Sequence, residues 1–594
     1  MDLTRHLAKA LPRQLRSLIG YPDRSYRAWI EAFDTVRDED RARIAARIAA
    51  LPDRPLISVI MPVYDPPPQF LTRAIESVRA QLYPDWELCI ADDASTKPEI
   101  RPLLARYAAA DPRIRVVYRT ENGHIARASN AALALARGAF VALLDHDDEL
   151  PPHALYLIAA ELAAHPDTDI FYSDEDKIDA RGRRFSPYFK PDWNPDLFLA
   201  QNVISHLGVY RRSLVEAIGG FRTGFEGSQD YDLALRAIER AGPARLRHIP
   251  HILYHWRAFP GSAALRVEEK NYAPDAAKRA VEEHLLRTGR KADVTASPVR
   301  GLQRVRYLLD AEPRVSIIVP TKDKADMTSR CVEGILDRTD YRNLEILIVD
   351  NNSVESETHA FFDRAARDPR VRVLRYDAMF NFSAINNFAA RQATGEVLVL
   401  LNNDTDVIDP HWLAEMVGNA MRPEIGAVGA KLLYPDGSIQ YGGVIVGIGG
   451  LADHAFRGLE RRDSGPFGRA QLQQNFSAVT GACLALRKSV YDEVGGMNER
   501  DLRVAYNDVD LCLRIRAKAY LIVWTPYAEL YHHESATRGS DRAPARRPEF
   551  EREMKFLKEY WGEALRDDPY YNPNLSLDHA NFELAFPPRA AKPW

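Results

Sequence analysis

Five segments of this 594-residue chain occur twice, in the same order. Ser58-Val-Ile-Met-Pro62 returns as Ser316-Ile-Ile-Val-Pro320, and Cys89-Ile-Ala-Asp92 as Leu347-Ile-Val-Asp350. Gly138-Ala-Phe-Val-Ala-Leu-Leu-Asp-His-Asp147 returns as Gly395-Glu-Val-Leu-Val-Leu-Leu-Asn-Asn-Asp404. Gln229-Asp-Tyr-Asp-Leu-Ala-Leu-Arg236 matches Asn507-Asp-Val-Asp-Leu-Cys-Leu-Arg514, and Leu253-Tyr-His255 matches Leu530-Tyr-His532. The offsets run about 258, 258, 257, 278 and 277, so the second copy carries one insertion of about 20 residues before its fourth motif. Solenoid and propeller repeats have periods of only about 20–50 residues, so this is a duplicated domain.

Within each copy, short runs of Val, Ile and Leu alternate with helical patterns. The first copy predicts strands at Leu56–Met61, Glu87–Ala91, Ile114–Tyr118 and Phe140–Leu144. Helices are expected near 69–82, 98–109 and 124–137, and the second copy repeats the series from Val315 to Leu401. Such alternation with apolar strands predicts an α/β fold whose mainly parallel sheet is covered on both faces. Residues 1–50, and 26–50 above all, read as helical until Pro52 and Pro55. The expected division is a helical extension at 1–54, domains at 55–305 and 306–545, and a tail at 546–594. The inner boundary rests on Thr295, Ser297, Pro298, Gly301 and Pro313. In the tail, an amphipathic helix at Glu549–Tyr560 precedes an irregular Asp568-Pro-Tyr-Tyr-Asn-Pro-Asn574.

A net charge of −4 argues against broad electrostatic capture of nucleic acid. Four scattered cysteines without a C-x-x-C pair read as buried reduced thiols. No run approaches the roughly 18 apolar residues of a membrane span, and no secretory signal is visible, so a cytoplasmic protein is expected. Leu3, Leu7, Leu11 and Leu15, with Arg5, Lys9, Arg13 and Arg16 on other faces, form a basic amphipathic stripe. Such a stripe suits peripheral contact with the inner face of the plasma membrane, or else a helix packed on its own domain.

Ligands of open parallel sheets bind outside the carboxyl ends of the strands. Asp92 and Asp93 follow one predicted strand, and Asp145, Asp147 and Asp148 another. Clustered acids there are costly unless paired, and a hard divalent cation resolves the conflict by sharing carboxylates with substrate phosphates.

The ordered set of motifs resembles the family 2 glycosyltransferases of the GT-A fold, of the bacterial polysaccharide and O-antigen type. The likeness covers about 55–300 and 313–545. It implies two tandem GT-A (Rossmann-like) domains, nucleotide-sugar donors (UDP-, dTDP- or GDP-linked), Mn²⁺ or Mg²⁺, and inversion at the anomeric carbon. By that resemblance Pro62, Asp92, Asp93 and Asp145 belong to donor binding in copy one, with Asp92 on the base and Asp145 on the ribose. Asp147 and His255 would hold the metal, and Asp230 would be the general base. A histidine merely packed beside Trp256 is the alternative for His255. In copy two, Pro320, Asp350 and Asn402 take the donor positions, Asp404 and His532 the metal, and Asp508 the base. Asn402 and Asn351 replace acids, Asp406 is an additional acid, and Asn402-Asn-Asp-Thr405 resembles the rhamnosyltransferase-like subgroup.

Asp174, Asp176, Trp193 and Trp256 are candidates for contact with the acceptor, because acids and aromatic rings suit sugar recognition. A solvated loop is the alternative for Tyr172–Lys177 and Lys190–Pro195. The Gly-rich Tyr441–Gly450 lacks a phosphate-loop lysine and reads as a mobile flap or a set of tight turns. The resulting expectation is a bifunctional inverting glycosyltransferase acting on a cell-surface glycan, with an acceptor that is lipid-diphosphate-linked. The rival makes copy two a non-catalytic glycan-binding module. A nucleotidyltransferase would need a Gly-rich basic loop after the first strand, where this chain has Val63-Tyr-Asp-Pro-Pro-Pro68.

Overall fold

The computed structural model describes residues 23–259, 272–533, 544 and 546–594. The basic stripe at Leu3–Arg16 lies outside the described residues. In the first copy, four parallel strands run Ile114–Tyr118, Trp86–Asp92, Ile57–Val63 and Phe140–Leu143 across the sheet. Val209–Arg211 then pairs antiparallel with Phe140–Leu143 and leads to Ile170–Ile178, which is flanked by Arg184–Tyr188 and Leu246–Arg257. The apolar strands Ile57–Val63 and Trp86–Asp92 are buried along nearly their whole length, because helices cover both faces of the sheet.

The second copy rebuilds this order with Val371–Arg375, Leu344–Asp350, Val315–Thr321, Val397–Leu401, Cys483–Arg487, Ile425–Leu433 and Leu521–His532. Thr405–Val407 extends its edge. The likeness reaches single hydrogen bonds. Ser58 Oγ donates to Glu87 (2.7 Å) and accepts from Gly138 N (2.9 Å); Ser316 does the same with Glu345 (2.6 Å) and Gly395 N (2.8 Å). A Cβ on Gly138 would stand 2.5 Å from Leu56 O, and one on Gly395 2.5 Å from Ser316 N, so both positions exclude side chains.

The terminal segments are tied to this frame. The helices Asp23–Phe33 and Asp38–Ala49 pack on copy one, burying Tyr26, Trp29, Ile44 and Ile48. A hairpin of Ala292–Ala296 and Gln303–Tyr307 runs through position 305. The helix Arg547–Trp561 packs on copy two: Glu553 accepts from the N–H groups of Arg503, Val504 and Ala505, and Trp561 Nε1 donates to Asp510 (2.9 Å).

Between the copies lies a buried polar network. Asp196 accepts from Arg422 (2.6 Å), Gln473 (2.9 Å) and Asn475 (2.9 Å), while Asn194 bonds the Asn475 backbone. Fully paired, such a network fixes one relative placement of the two sheets.

All four cysteines are buried and free. The Gly-rich stretch is no flap: Ile439–Tyr441 and Val444–Val446 are buried strands joined by tight turns. Gly447, at φ +96°, packs so closely that a Cβ would meet Leu565 O at 2.7 Å. Among the described residues no helix is long and apolar enough to cross a membrane.

Candidate active site

In copy one the parallel strands deliver their acids to one edge. Asp92 ends the strand Trp86–Asp92, and its Oδ1 accepts from Ser95 N (3.2 Å). Pro62 sits in the neighbouring strand, where its carbonyl lies 3.2 Å from His146 Nδ1. Asp93 departs from the expected donor contact. Its buried carboxylate takes the Gly123 N–H (3.0 and 3.1 Å) and Arg119 (2.6 Å), so it braces the loop after the third strand. In copy two Asn351 braces the same loop with opposite polarity, donating to Tyr376 O (3.1 Å) and Ala378 O (2.8 Å). The Asp-to-Asn change is therefore compensated locally.

Beyond Phe140–Leu143, the ligating atoms of Asp145, Asp148 and His206 lie within 4.8 Å of one another. This set differs from the expected pair of Asp147 and His255. Asp148 accepts from Tyr254 Oη (2.6 Å) and Arg257 N (2.7 Å) and is buried. Burial, reinforced by Asp147 and Asp145, pushes its pKa well above the carboxylate range. Burial likewise raises Asp147, with Asp145 adding to the rise. Crowded, desolvated carboxylates of this kind are relieved by a cation.

His206 carried no motif in the sequence. It is found only because the loop before Val209–Arg211 folds back over the sheet and stacks its ring on Tyr254 (centroids 4.3 Å). Glu175 lies 3.3 Å from its Nδ1. Burial alone would lower the histidine, but Glu175 overrides it and lifts the pKa to about 9. Burial would raise Glu175, yet Lys190 and His206 bring it down to about 2.

Asp230 stands in the first turn of the helix Gln229–Ala241, with Asn202 Nδ2 donating to its Oδ2 (2.8 Å). Burial raises its pKa, Asp145 adds to the rise, and His206 opposes it, so the three share one electrostatic environment.

His255 gives its Nδ1 to Asp176 (2.6 Å). Asp176 also takes Tyr26 Oη (2.6 Å) and Arg184 Nε (2.5 Å). Asp174 is bound by Lys190 N (2.8 Å), His248 Nε2 (2.9 Å) and the side chains of Asn572 and Asn574. Both acids are 0% exposed. They are corrected from acceptor contacts to internal braces, because Ile170–Ile178 is an inner strand and leaves their oxygens no solvent. Trp193 packs against Phe198 (5.1 Å). Trp256 is half-buried beside His206 (5.5 Å), with Lys177 Nζ 5.1 Å from its ring centre.

Copy two reproduces part of this. Asp350 accepts from Ser353 N (2.9 Å), matching Asp92, and Pro320 pairs with Val349 inside the sheet. Asp404, Asn402 and His532 meet: His532 Nε2 lies 3.2 Å from Asp404 Oδ1 and 3.3 Å from Asn402 Nδ2. His532 Nδ1 is 2.6 Å from Gln440 Oε1, which can only accept, so Nδ1 carries a proton and Nε2 is the ring nitrogen turned to Asp404. Asp404 Oδ1 is buried without a hydrogen-bond donor. A neutral imidazole nitrogen and a carboxylate oxygen so placed form a donor set that Mn²⁺ accepts. Asp508, in the first turn of the helix Asn507–Ala517, accepts from Gly481 N (2.8 Å). Asp406 pairs with Arg338 and is thereby engaged away from this group.

The chain belongs to Glycosyl transferase family 2, whose sequence pattern matches it twice, at residues 58–219 and 316–495. It is 49% identical over 575 residues to the uncharacterized protein y4gI of Sinorhizobium fredii, covering 96% of this chain and 63% of that protein. It is 42% identical over 570 residues to the O-antigen biosynthesis protein RfbC of Myxococcus xanthus, covering 96% of this chain and 43% of that one. The chain thus spans less than two thirds of the length of either relative. A chondroitin synthase of Escherichia coli is 30% identical over 263 residues, 43% of this chain and 36% of the synthase.

Proposed function

We propose that both copies are catalytic, each an inverting, cation-dependent transferase that moves a sugar from a nucleotide donor to a growing cell-surface glycan. The acceptor hydroxyl bonds to C1 of the donor sugar as the C1–O bond to the diphosphate breaks. The electron pair leaves with the diphosphate, and the hydroxyl proton passes to Asp230 in copy one or Asp508 in copy two. Asn202 donates to Asp230 Oδ2, while Asp508 accepts from Gly481 N at Oδ2 and from Val509 N at Oδ1 (2.8 Å each), contacts that fix their direction. Asp92 and Asp350 face the nucleobase, and Asp145 and Asn402 the ribose. Asp147 beside the converging Asp145 and Asp148 in copy one, and Asp404 with His532 in copy two, would hold Mn²⁺ or Mg²⁺. When bound, that ion offsets charge on the departing nucleoside diphosphate. Trp256 offers a ring face to the acceptor in copy one.

The observation that carries the reading for copy two is the buried Asp404 Oδ1, without a hydrogen-bond donor and 3.2 Å from His532 Nε2, a carboxylate–imidazole pair placed where a cation could be shared. Asn402, Thr405 and Ala482 stand where copy one has Asp145, Asp148 and His206. Those replacements favour the second reading, in which copy two only holds the glycan. The domains proposed are 55–305 and 306–545, with donors linked to UDP, dTDP or GDP. The acceptor is a lipid-diphosphate-linked glycan, met at the membrane surface through the basic N-terminal stripe. A screen of nucleotide sugars for hydrolysis with Mn²⁺, in full-length Asp230→Asn and Asp508→Asn proteins, tests the assignment. Two donors are expected, one lost in each variant. A single donor, lost only in Asp230→Asn, supports the glycan-holding reading.

A further inference from the structure

The segment after the helix Arg547–Trp561 grips both copies within seven residues. Asp568 is anchored on copy two, accepting from Ser477 Oγ (2.6 Å) and Val446 N (2.9 Å). Asn572 and Asn574 are anchored on copy one, and both donate to Asp174. Asn572 Nδ2 lies 3.0 and 2.9 Å from its two oxygens, and Asn574 Nδ2 lies 3.3 Å from Oδ2. The same amides also reach Lys190 O (2.7 Å) and Pro250 O (2.9 Å). Asp192 N donates to Pro569 O (2.8 Å), closing the attachment. Asp174 and Lys190 are 0% exposed, Asn572 2% and Asn574 3%, so these bonds do not compete with water.

From Asp174 the bonds continue toward the candidate site of copy one. Lys190 N donates to Asp174, and Lys190 Nζ donates to Glu175 (2.9 Å) and Ile204 O (3.1 Å). Glu175 pairs with His206, whose ring rests on Tyr254 beside Asp145 and Asp148. In copy two the strand Ile425–Leu433 reads Lys431-Leu432-Leu433 where copy one has Asp174-Glu175-Asp176, so the acids that carry this chain of bonds are replaced there.

We infer that Asn572 and Asn574 are positioning residues for the first site, which is completed by a clip lying beyond the second copy in sequence. The proposal rests on the reading that copy one is catalytic. Its physical cause is the cost of a buried carboxylate that loses donors. Without the two amides, Asp174 keeps only Lys190 N and His248, and the nearest ammonium, on Lys190, is drawn from Glu175. The Glu175–His206 pair then loses its fixed placement.

The test is the full-length Asn572→Ala/Asn574→Ala protein, compared with wild type by hydrogen exchange and by transfer kinetics. Expected are faster exchange in 170–178 and 189–207, no change in 425–433 and 481–487, and a fall of about 10-fold or more in kcat for the first linkage. The second linkage and donor KM should stay within about twofold. Unchanged exchange in 189–207 would overturn the clip. Faster exchange with unchanged kcat in an active enzyme would overturn the positioning role. If wild type forms no linkage at copy one while exchange still changes, the catalytic reading fails and the clip stands. Should the double variant fail to fold, Asn574→Ala alone gives the same comparison with a smaller expected change.

Discussion

The two copies share a backbone and differ in how each compensates its buried charge. Copy one crowds Asp145, Asp147 and Asp148 together and sets against them a histidine lifted to about 9 by Glu175. Copy two has thinned its acids to Asp404, put neutral Asn402 and Thr405 around it, and aimed His532 Nε2 at the oxygen left over. One sheet edge thus supports two electrostatic solutions. What is held constant is the strand-end acid and the helix-borne aspartate; what varies is the surrounding charge. The lesson is that buried charge at such an edge can be offset in more than one way, so an acid count alone does not decide between a catalytic copy and a binding one.

Cation removal is expected to have the largest effect and to break the comparison if the copies differ. Excess chelator should abolish both linkages, with Mn²⁺ restoring them at least as well as Mg²⁺, as read by product formation. Transfer that persists at one copy would show that its acids need no ion. Next in size, Asp404→Asn should weaken Mn²⁺ binding at copy two by about 10–100-fold in calorimetry, while copy one keeps its affinity. His532→Gln should weaken it less.

The sequence revealed the duplicated fold well, because Val/Ile/Leu strands buried on both faces leave an unambiguous pattern. The strand Ile114–Tyr118 appears with the ends read from the residues, and Phe140–Leu143 is one residue shorter. The strand-end acids were equally visible. His206 was not, since it arrives from a loop about 60 residues later and owes its place to stacking on Tyr254. Asp174 and Asp176 misled because an acid-rich run looks solvated, whereas Lys190, His248, Arg184 and Tyr26 come from distant segments to bury it. Pairing partners that far apart leave no local signal.

A smaller effect separates function from stability at Asp230. Its folded pKa is raised by burial, so the proposed base of copy one protonates at a higher pH than an ordinary carboxylate. The first linkage, measured in Asp508→Asn protein, should lose rate on the acid side earlier than an unperturbed aspartate would dictate. The stability sign is opposite. Above the folded pKa the buried charge costs the native state, and below the unfolded value that cost is absent. Asp230→Asn should therefore raise the unfolding midpoint at pH 7 by about a degree or two, and the gain should vanish near pH ~3. A midpoint lowered at pH 7 would mean that the charge is compensated in the fold.

The smallest expected change is at Trp256. Trp256→Ala should raise the acceptor KM of the first linkage about 3–10-fold with kcat nearly unchanged, as loss of a ring face predicts. An equal effect on the second linkage would show that the copies share one acceptor groove.

The claim that both copies catalyse is tested most directly by mass analysis of the glycan formed by full-length Asp508→Asn protein with both donors and Mn²⁺ present. The exchange is nearly isosteric and removes the carboxylate's charge and with it proton acceptance, which contributes about 10²–10⁴-fold to rate. The account predicts a product that carries the first linkage and lacks the second, with Asp230→Asn giving the reverse. Both linkages surviving in Asp508→Asn at wild-type rate would contradict it and leave copy two as a module that only holds the glycan.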